Sequence, residues 1–338
     1  MLHAKYVSIT FLVFLLLATT TGSGNSSILK NESNLAQWSE GLIIDHSCID
    51  LDVVPDEWID AAQANVRIHY AHTSHGGQIT TGLERIESTD SKYDYARGYG
   101  TLPTDDGALC MLDGNPPHDY ITPDLYWEDG GDSITQNTLD NNPTITISLW
   151  SWCTQVNYYD STQVQDYLDT MTALELANPD VTFIYMTGNA QADSEDGYNR
   201  WLNNEMIRDY CEANNKILFD FADLDSWSDG DQNTFEYTAD STTYNIPVEH
   251  DDFSGDEAAH TTYTSCEQKG RAFWWLVACL AGWNAPSTTT EATSGTTNTG
   301  SSGLPTDSLL GGITPLFLAL GIAGILVVAT VVTYRRGK

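Results

Sequence analysis

Basic residues are scarce in this chain of 338 residues: 14 Lys and Arg stand against 47 Asp and Glu, a formal net charge of −33. Four of the 14, Lys5, Arg335, Arg336 and Lys338, lie at the ends, which leaves 10 between them. A field of that sign repels phosphate backbones and anionic headgroups, so nucleic acid is excluded as a partner. The cysteines Cys48, Cys110, Cys153, Cys211, Cys266 and Cys279 contain no CxxC pair, which argues against a zinc ribbon, and their spacing selects no disulfide pairing. Within Leu276-Val277-Ala278-Cys279-Leu280, Cys279 reads as a small buried apolar residue. No internal repeat is present. Charge is missing altogether from Leu309–Tyr334, a run long enough to cross a bilayer and stopped by Arg335, Arg336 and Lys338.

These ends set the expected organisation. Residues 1–24, with Lys5 ahead of the apolar run Val7–Ala18 and small residues after it, read as a secretory signal peptide. Residues 25–35 form a flexible segment carrying the sequons Asn25-Ser26-Ser27 and Asn31-Glu32-Ser33. A single domain follows over 36–284, then a Ser/Thr-rich stalk over 285–308, too poor in apolar groups to offset ordering entropy. Residues 309–334 are the expected transmembrane helix and 335–338 a cytoplasmic tail, which places the domain outside the cell membrane.

Within the domain the pattern alternates. Leu42-Ile43-Ile44 reads as an edge strand or a tucked loop, and Pro55–Ala62 begins like a helix, with proline and acids in its first turn. The run Val66–Gly77 reads as a strand that ends abruptly in Thr73-Ser74-His75-Gly76-Gly77, followed by an amphipathic helix with Ile79, Leu83 and Ile86 on one face. Residues 88–143 are turn-rich and read as an irregular pocket rim. Strands at 144–150, 181–186 and 216–221 then alternate with helices at 163–176 and 198–213, and a last helix covers 267–283. Such spacing implies an α/β fold, a parallel sheet with helices on both faces.

Three strand ends carry polar residues, as an active site on a parallel sheet requires. The first presents Ser74, a candidate nucleophile, beside Gly76. The second presents the amides of Gln155 and Asn157, and the third Gly188 and Asn189, which as uncharged N–H donors suit a developing oxyanion. Ahead of the last helix, Asp256 and Glu257 precede His260, so that the histidine could take the Ser74 proton while an acid fixes its tautomer. Trp127, among Asp and Gly, is the candidate for stacking on a ligand, whereas Trp150, Trp152, Trp274 and Trp275 read as core.

This order of serine after the first strand, amides on later strand ends and acid-x-x-His before the last helix resembles the SGNH (GDSL-type) hydrolase superfamily. His-Thr-Ser-His-Gly stands where that family has Gly-Asp-Ser, and the acid-x-x-His spacing is met by Glu257 and His260. The resemblance covers roughly Val66–Trp283. It implies a three-layer, flavodoxin-like fold and a serine esterase or acetylesterase with no cofactor, acting on an ester-bearing carbohydrate or other surface polymer. Two other readings stand beside it. His72 and His75, with His69, His250, Asp251, Asp252 or His260, offer ligands for Zn²⁺ and a metal-dependent hydrolysis. A non-catalytic module could instead bind glycan or a partner through the loops from Tyr99 to Trp127.

Overall fold

The computed structural model describes residues 41–286. The expected signal peptide, the sequon-bearing segment, the stalk beyond 286, the 309–334 span and the basic tail lie outside the described residues. Among the described residues no helix is long and apolar enough to cross a membrane.

Seven parallel strands form the centre: β1 (Leu42–Ile44), β2 (Arg67–His72), β3 (Tyr95–Gly98), β4 (Leu109–Asp113), β5 (Ile147–Ser151), β6 (Thr182–Met186) and β7 (Ile217–Phe219), in the order β1-β7-β6-β5-β2-β4-β3. Their composition explains the arrangement. β4 and β5 are buried at every position and β6 at all but its first, as strands covered on both faces must be. Seven α-helices accompany them: α1 (Asp56–Asn65), α2 (Gly77–Thr89), α3 (Gly131–Asn141), α4 (Ser161–Ala177), α5 (Ser194–Ala213), the short α6 (Phe221–Ser226) and α7 (Tyr263–Leu280). α1 and α2 pack on α7, while α3 and α5 pack on α4, giving a three-layer α/β body.

The turn-rich 88–143 region is more regular than expected, since it supplies β3, β4 and α3. The polar stretch after α6 also folds, into the short pair β8 (Trp227–Ser228) and β9 (Asp231–Gln232) and the hairpin β10 (Thr234–Ala239) and β11 (Thr242–Pro247).

α2 and α7 cross at two glycines. A Cβ on Gly82 would stand 2.7 Å from the carbonyl carbon of Cys266, and one on Gly270 would stand 2.6 Å from the carbonyl carbon of Gly82. Backbone cannot yield as a side-chain tip can, so Gly82→Ala must push the helices apart. We expect it to cost about 3 kcal/mol, the upper end for overpacking, read as a lower denaturant midpoint. A variant as stable as the parent would show that the two helices separate freely.

The strand order locates the site. From β2 the chain moves to one side, through β3 and β4, and from β5 to the other, through β6 and β7. β2 and β5 are neighbours, paired from Ile68 with Ile147 to His72 with Ser151, so their ends are level. Parallel sheets bind ligands beyond the carboxyl ends of the strands at such a reversal. Residues 73–76 and 152–155 meet there.

Candidate active site

β2 is followed by a 3-10 turn, Ser74–Gly76, that runs directly into α2. Gly76 permits this tight passage: a Cβ there would lie 2.7 Å from His72 Cγ and 2.8 Å from the Tyr70 hydroxyl oxygen. Its N–H donates to the Thr73 carbonyl at 3.0 Å and its own carbonyl accepts from Tyr70 Oη at 2.9 Å. Gly76 is thus a packing residue whose N–H is already used, and is no oxyanion donor.

Facing this turn is Cys153, two residues past β5. Its Sγ lies 3.1 Å from Ser74 Oγ and 3.1 Å from His75 Nδ1, the first two residues of the turn. Sγ therefore sits at the amino end of a helical segment, beside an imidazole and a hydroxyl. Burial alone would raise this thiol, but hydrogen bonds from His75 and Ser74 and the His75 charge outweigh it and bring it down to about 6. The other five cysteines are pushed up by burial, Cys48 and Cys266 to about 11 and Cys279 to about 12. All six are free thiols, and all but Cys153 are buried.

His75 completes the arrangement. It is 3 % exposed, and its Nε2 lies 2.7 Å from Gln191 Oε1. An amide oxygen can only accept, so Nε2 carries the proton and Nδ1 presents its lone pair to the thiol. Burial opposes protonation of the ring, yet the contacts with Cys153 and Gln191 raise His75 above its ordinary value. Both shifts act in the direction of a thiolate–imidazolium pair.

Two of the amides expected as oxyanion donors, Gln155 and Asn189, brace this centre. Gln155 Oε1 accepts from the Cys153 N–H at 2.7 Å, and Asn189 Nδ2 donates to the Cys153 carbonyl. Asn189 Oδ1 also accepts from the Gln191 N–H at 3.1 Å. The N–H of Gly188 donates to Asn204 Oδ1 at 2.8 Å, and Asn157 is buried with its backbone tied to Thr154 and Asn199. Gln155 and Asn189 thus fix the backbone around Cys153, whereas Gly188 is tied to α5.

The expected triad is rearranged. The hydroxyl of Ser74 has the Cys153 sulfur as its hydrogen-bond partner, and His260 is not bonded to it. The exposed ring of His260 instead lies tilted against His75, centroids 4.7 Å apart. Glu257 accepts from the Tyr263 N–H at 2.7 Å and thereby caps α7, and the exposed Asp256 makes no side-chain bond among the described residues. Neither orients His260. Trp127 is no platform: it is 4 % exposed and packs edge-on against Trp150, Trp152, Tyr159 and Tyr167, because the aromatic cluster it joins is the core under β5.

The histidines do not converge on a metal. His72 Nε2 faces Asp113 Oδ1 at 3.0 Å toward β4, whereas His75 faces Cys153. His69 is buried against Ser148, which lowers its pKa to about 4 and keeps it neutral. His250 accepts from the Asp252 N–H at 3.2 Å, capping the turn Asp251–Phe253. Among the described residues one set of three potential ligands does meet, Asp45, His46 and Asp223. There Asp223 Oδ1 accepts from the His46 backbone N–H at 2.7 Å and lies 2.6 Å from His46 Nδ1, and Asp45 accepts from Ser47. A cleft of about 440 Å³ lined by Leu139, Asn142, Pro143, Ala177, Asn178 and Val181 lies at the other end of the sheet and offers no thiol or imidazole.

The class these features define is a three-layer α/β protein with a thiol–imidazole centre at the reversal of strand order. No family model and no curated protein matches the chain. Two solved structures of TubZ from Clostridium botulinum phage c-st are weakly similar to it. One, truncated at its C-terminal tail, has 10% identity and a TM-score of 0.26 over 44% of this chain and 50% of its own. The other has 15% identity and a TM-score of 0.25 over 45% and 51%. The chain spans about half the length of these structures.

Proposed function

We propose that this chain is an exterior, membrane-anchored acyl hydrolase whose nucleophile is Cys153. The observation that carries the reading is the thiol 3.1 Å from an imidazole nitrogen whose opposite nitrogen is fixed by Gln191. In the reaction, the Cys153 thiolate attacks the ester carbonyl, forming a C–S bond and an oxyanion near the positive end of the Ser74–Thr89 helical segment. Collapse breaks the C–O bond, and the Nδ1 proton of His75 goes to the leaving alkoxide. Water, giving its proton to Nδ1, then hydrolyses the thioester and restores the thiol.

The five strands β4-β2-β5-β6-β7 run second-first-third-fourth-fifth in chain order, which is the flavodoxin-like order and supports an SGNH-like scaffold. On it, Ser74 occupies the family's nucleophile position but serves the sulfur as a hydrogen-bond donor. The proposed ester-bearing partner is a carbohydrate or surface polymer, and the uncharged 309–334 run followed by Arg335 and Arg336 supports the reading of an exterior domain. No cofactor takes part.

The test is hydrolysis of short-chain aryl esters and acetylated sugars by the full chain, untreated, after iodoacetamide, and with a chelator. Loss on alkylation with indifference to chelator is expected. Loss with chelator alone would return the assignment to metal. Failure on every ester would leave the glycan-binding module as the better account.

A further inference from the structure

Behind His75 lies a carboxylate that the reaction as written does not use. Gln191 Nε2 donates to Glu249 Oε1 at 2.9 Å and to the carbonyl of His260. We propose that Glu249 is a positioning residue: through Gln191 it selects the His75 tautomer that can receive the thiol proton, and it couples the centre to pH. The inference rests on the cysteine reading and concerns regulation of that site.

The argument begins with the amide. The two ends of Gln191 have nearly the same shape, and either could face His75. With the NH₂ turned inward, His75 Nε2 would have to accept. Its proton would then sit on Nδ1, against the thiol, and Cys153 could not be deprotonated. Rotation in that sense would place the amide oxygen against the Glu249 carboxylate and the His260 carbonyl, two acceptors. Glu249, together with the His260 carbonyl, therefore sets the orientation.

Its own position is rigid. The Glu249 N–H donates to the Ala190 carbonyl at 2.9 Å, Asn233 Nδ2 donates to its carbonyl at 2.9 Å, and the Thr261 hydroxyl lies 3.2 Å from Oε1. The His260 carbonyl is held in a turn where Ala259 (φ 48°) and His260 (φ 71°) both take the left-handed conformation that non-glycine residues avoid. Gln78 Nε2 donates to the Ala259 carbonyl at 2.9 Å, so side-chain amides from Gln78 and Gln191 hold both strained residues.

The charged groups around Glu249 come from three helices and its own loop. Asp225 of α6 faces it, and bonds the buried Lys269 of α7 at 2.7 Å. Arg200 of α5 donates to the Pro247 carbonyl at 2.7 Å. His250 turns to Asp252, and His75 is reached through Gln191. Burial, then Asp225, push Glu249 up to about 7, against the opposing effects of Gln191, Lys269 and Thr261. Above that pH the carboxylate anchors Gln191 and favours the His75 imidazolium. As pH falls through it, the anchor weakens just above the range in which Cys153 itself gains a proton.

The experiment is the pH profile of iodoacetamide alkylation at Cys153 and of ester turnover, in the full chain and in Glu249→Ala and Glu249→Gln, with thermal unfolding alongside. Wild type should alkylate with a midpoint near about 6. Glu249→Ala should raise that midpoint by about one unit and cut turnover about tenfold, less than loss of a direct tautomer-fixing partner. Glu249→Gln, whose amide oxygen can still accept from Gln191, should keep turnover at pH 8 but show a shallower acid limb, one proton fewer. A Glu249→Ala profile identical to wild type would overturn the proposal, as would equal losses in both variants that track only their unfolding temperatures. A wild-type midpoint near that of an ordinary thiol, about 8.5, would instead overturn the cysteine reading, and the proposal with it.

Discussion

Cys153→Ala is expected to abolish ester turnover, by on the order of 10⁴-fold or more, because the variant retains binding and the helix terminus but has no atom to form the acyl bond. Ser74→Ala should cost far less. Ser74 donates to a thiolate 3.1 Å away, and a hydrogen bond to a charged acceptor contributes about 1.5 kcal/mol, close to tenfold in rate. The comparison separates the two chemistries that the β2 and β5 ends offer. Steady-state rates in which Ser74→Ala is dead and Cys153→Ala active would restore the serine esterase, with the sulfur a neighbour only. Cys153→Ser adds a control of shape: it preserves the hydroxyl–imidazole contact, but a hydroxyl has nothing like the acidity of this thiol and should recover little.

Replacing His75 by alanine removes both the group that lowers the thiol and the acid that protonates the leaving alkoxide. Turnover should fall by roughly 10³–10⁴, near the upper end for general acid–base catalysis. The ionisation of Cys153 gives the cleaner measurement. Burial raises the thiol, and His75 heads the causes that lower it, so without the ring the midpoint should climb from about 6 to about 8.5 or higher. Alkylation at pH 7 would barely register this. The thiolate fraction drops roughly 30-fold, but a more basic thiolate is about tenfold more nucleophilic, and the two nearly cancel. At pH 5.5 wild type still holds about a quarter of its thiol ionised and the variant well under a hundredth, so alkylation there should slow about 20-fold. Thiolate is present above the midpoint and lost below it, so the activity of wild type should fall as the medium acidifies through 6. An unchanged midpoint in His75→Ala would mean that the helix terminus alone ionises the thiol.

Much of the fold is legible along the chain because its strands and long helices carry strong local signals. β2, β5 and β6 are apolar runs ended by polar residues, α2 has one apolar face, and α4 starts at Asp160 with a capping box to Gln163. β3, β4 and α3 escape notice for equally local reasons. β3 and β4 span only four and five residues between glycines and aspartates, and α3, Gly-Asp-Ser-Ile-Thr-Gln-Asn-Thr-Leu-Asp-Asn, has two large apolar residues and opens on glycine. The Asp- and Gly-rich surroundings of Trp127 suggest a ligand platform, yet these turns fold over the aromatic core and bury it.

The site divides along the same line. The sequence by itself determined that a polar turn, Ser74-His75-Gly76, would follow a buried strand and open a helix, and that other strands would end in amides, because hydrophobic period and glycine placement are properties of neighbours in the chain. Which of these ends would touch was decided only by the tertiary structure. Nothing in the spacing of the six cysteines singles out Cys153, and His260, by spacing, reads as the base for Ser74. Strand order places β5 beside β2 in level register, which brings a sulfur 78 residues away onto His75, while Gln191, 116 residues away, turns the imidazole toward it. A thiol becomes a nucleophile through such partners, and they are supplied by the packing of strands whose order no local pattern encodes.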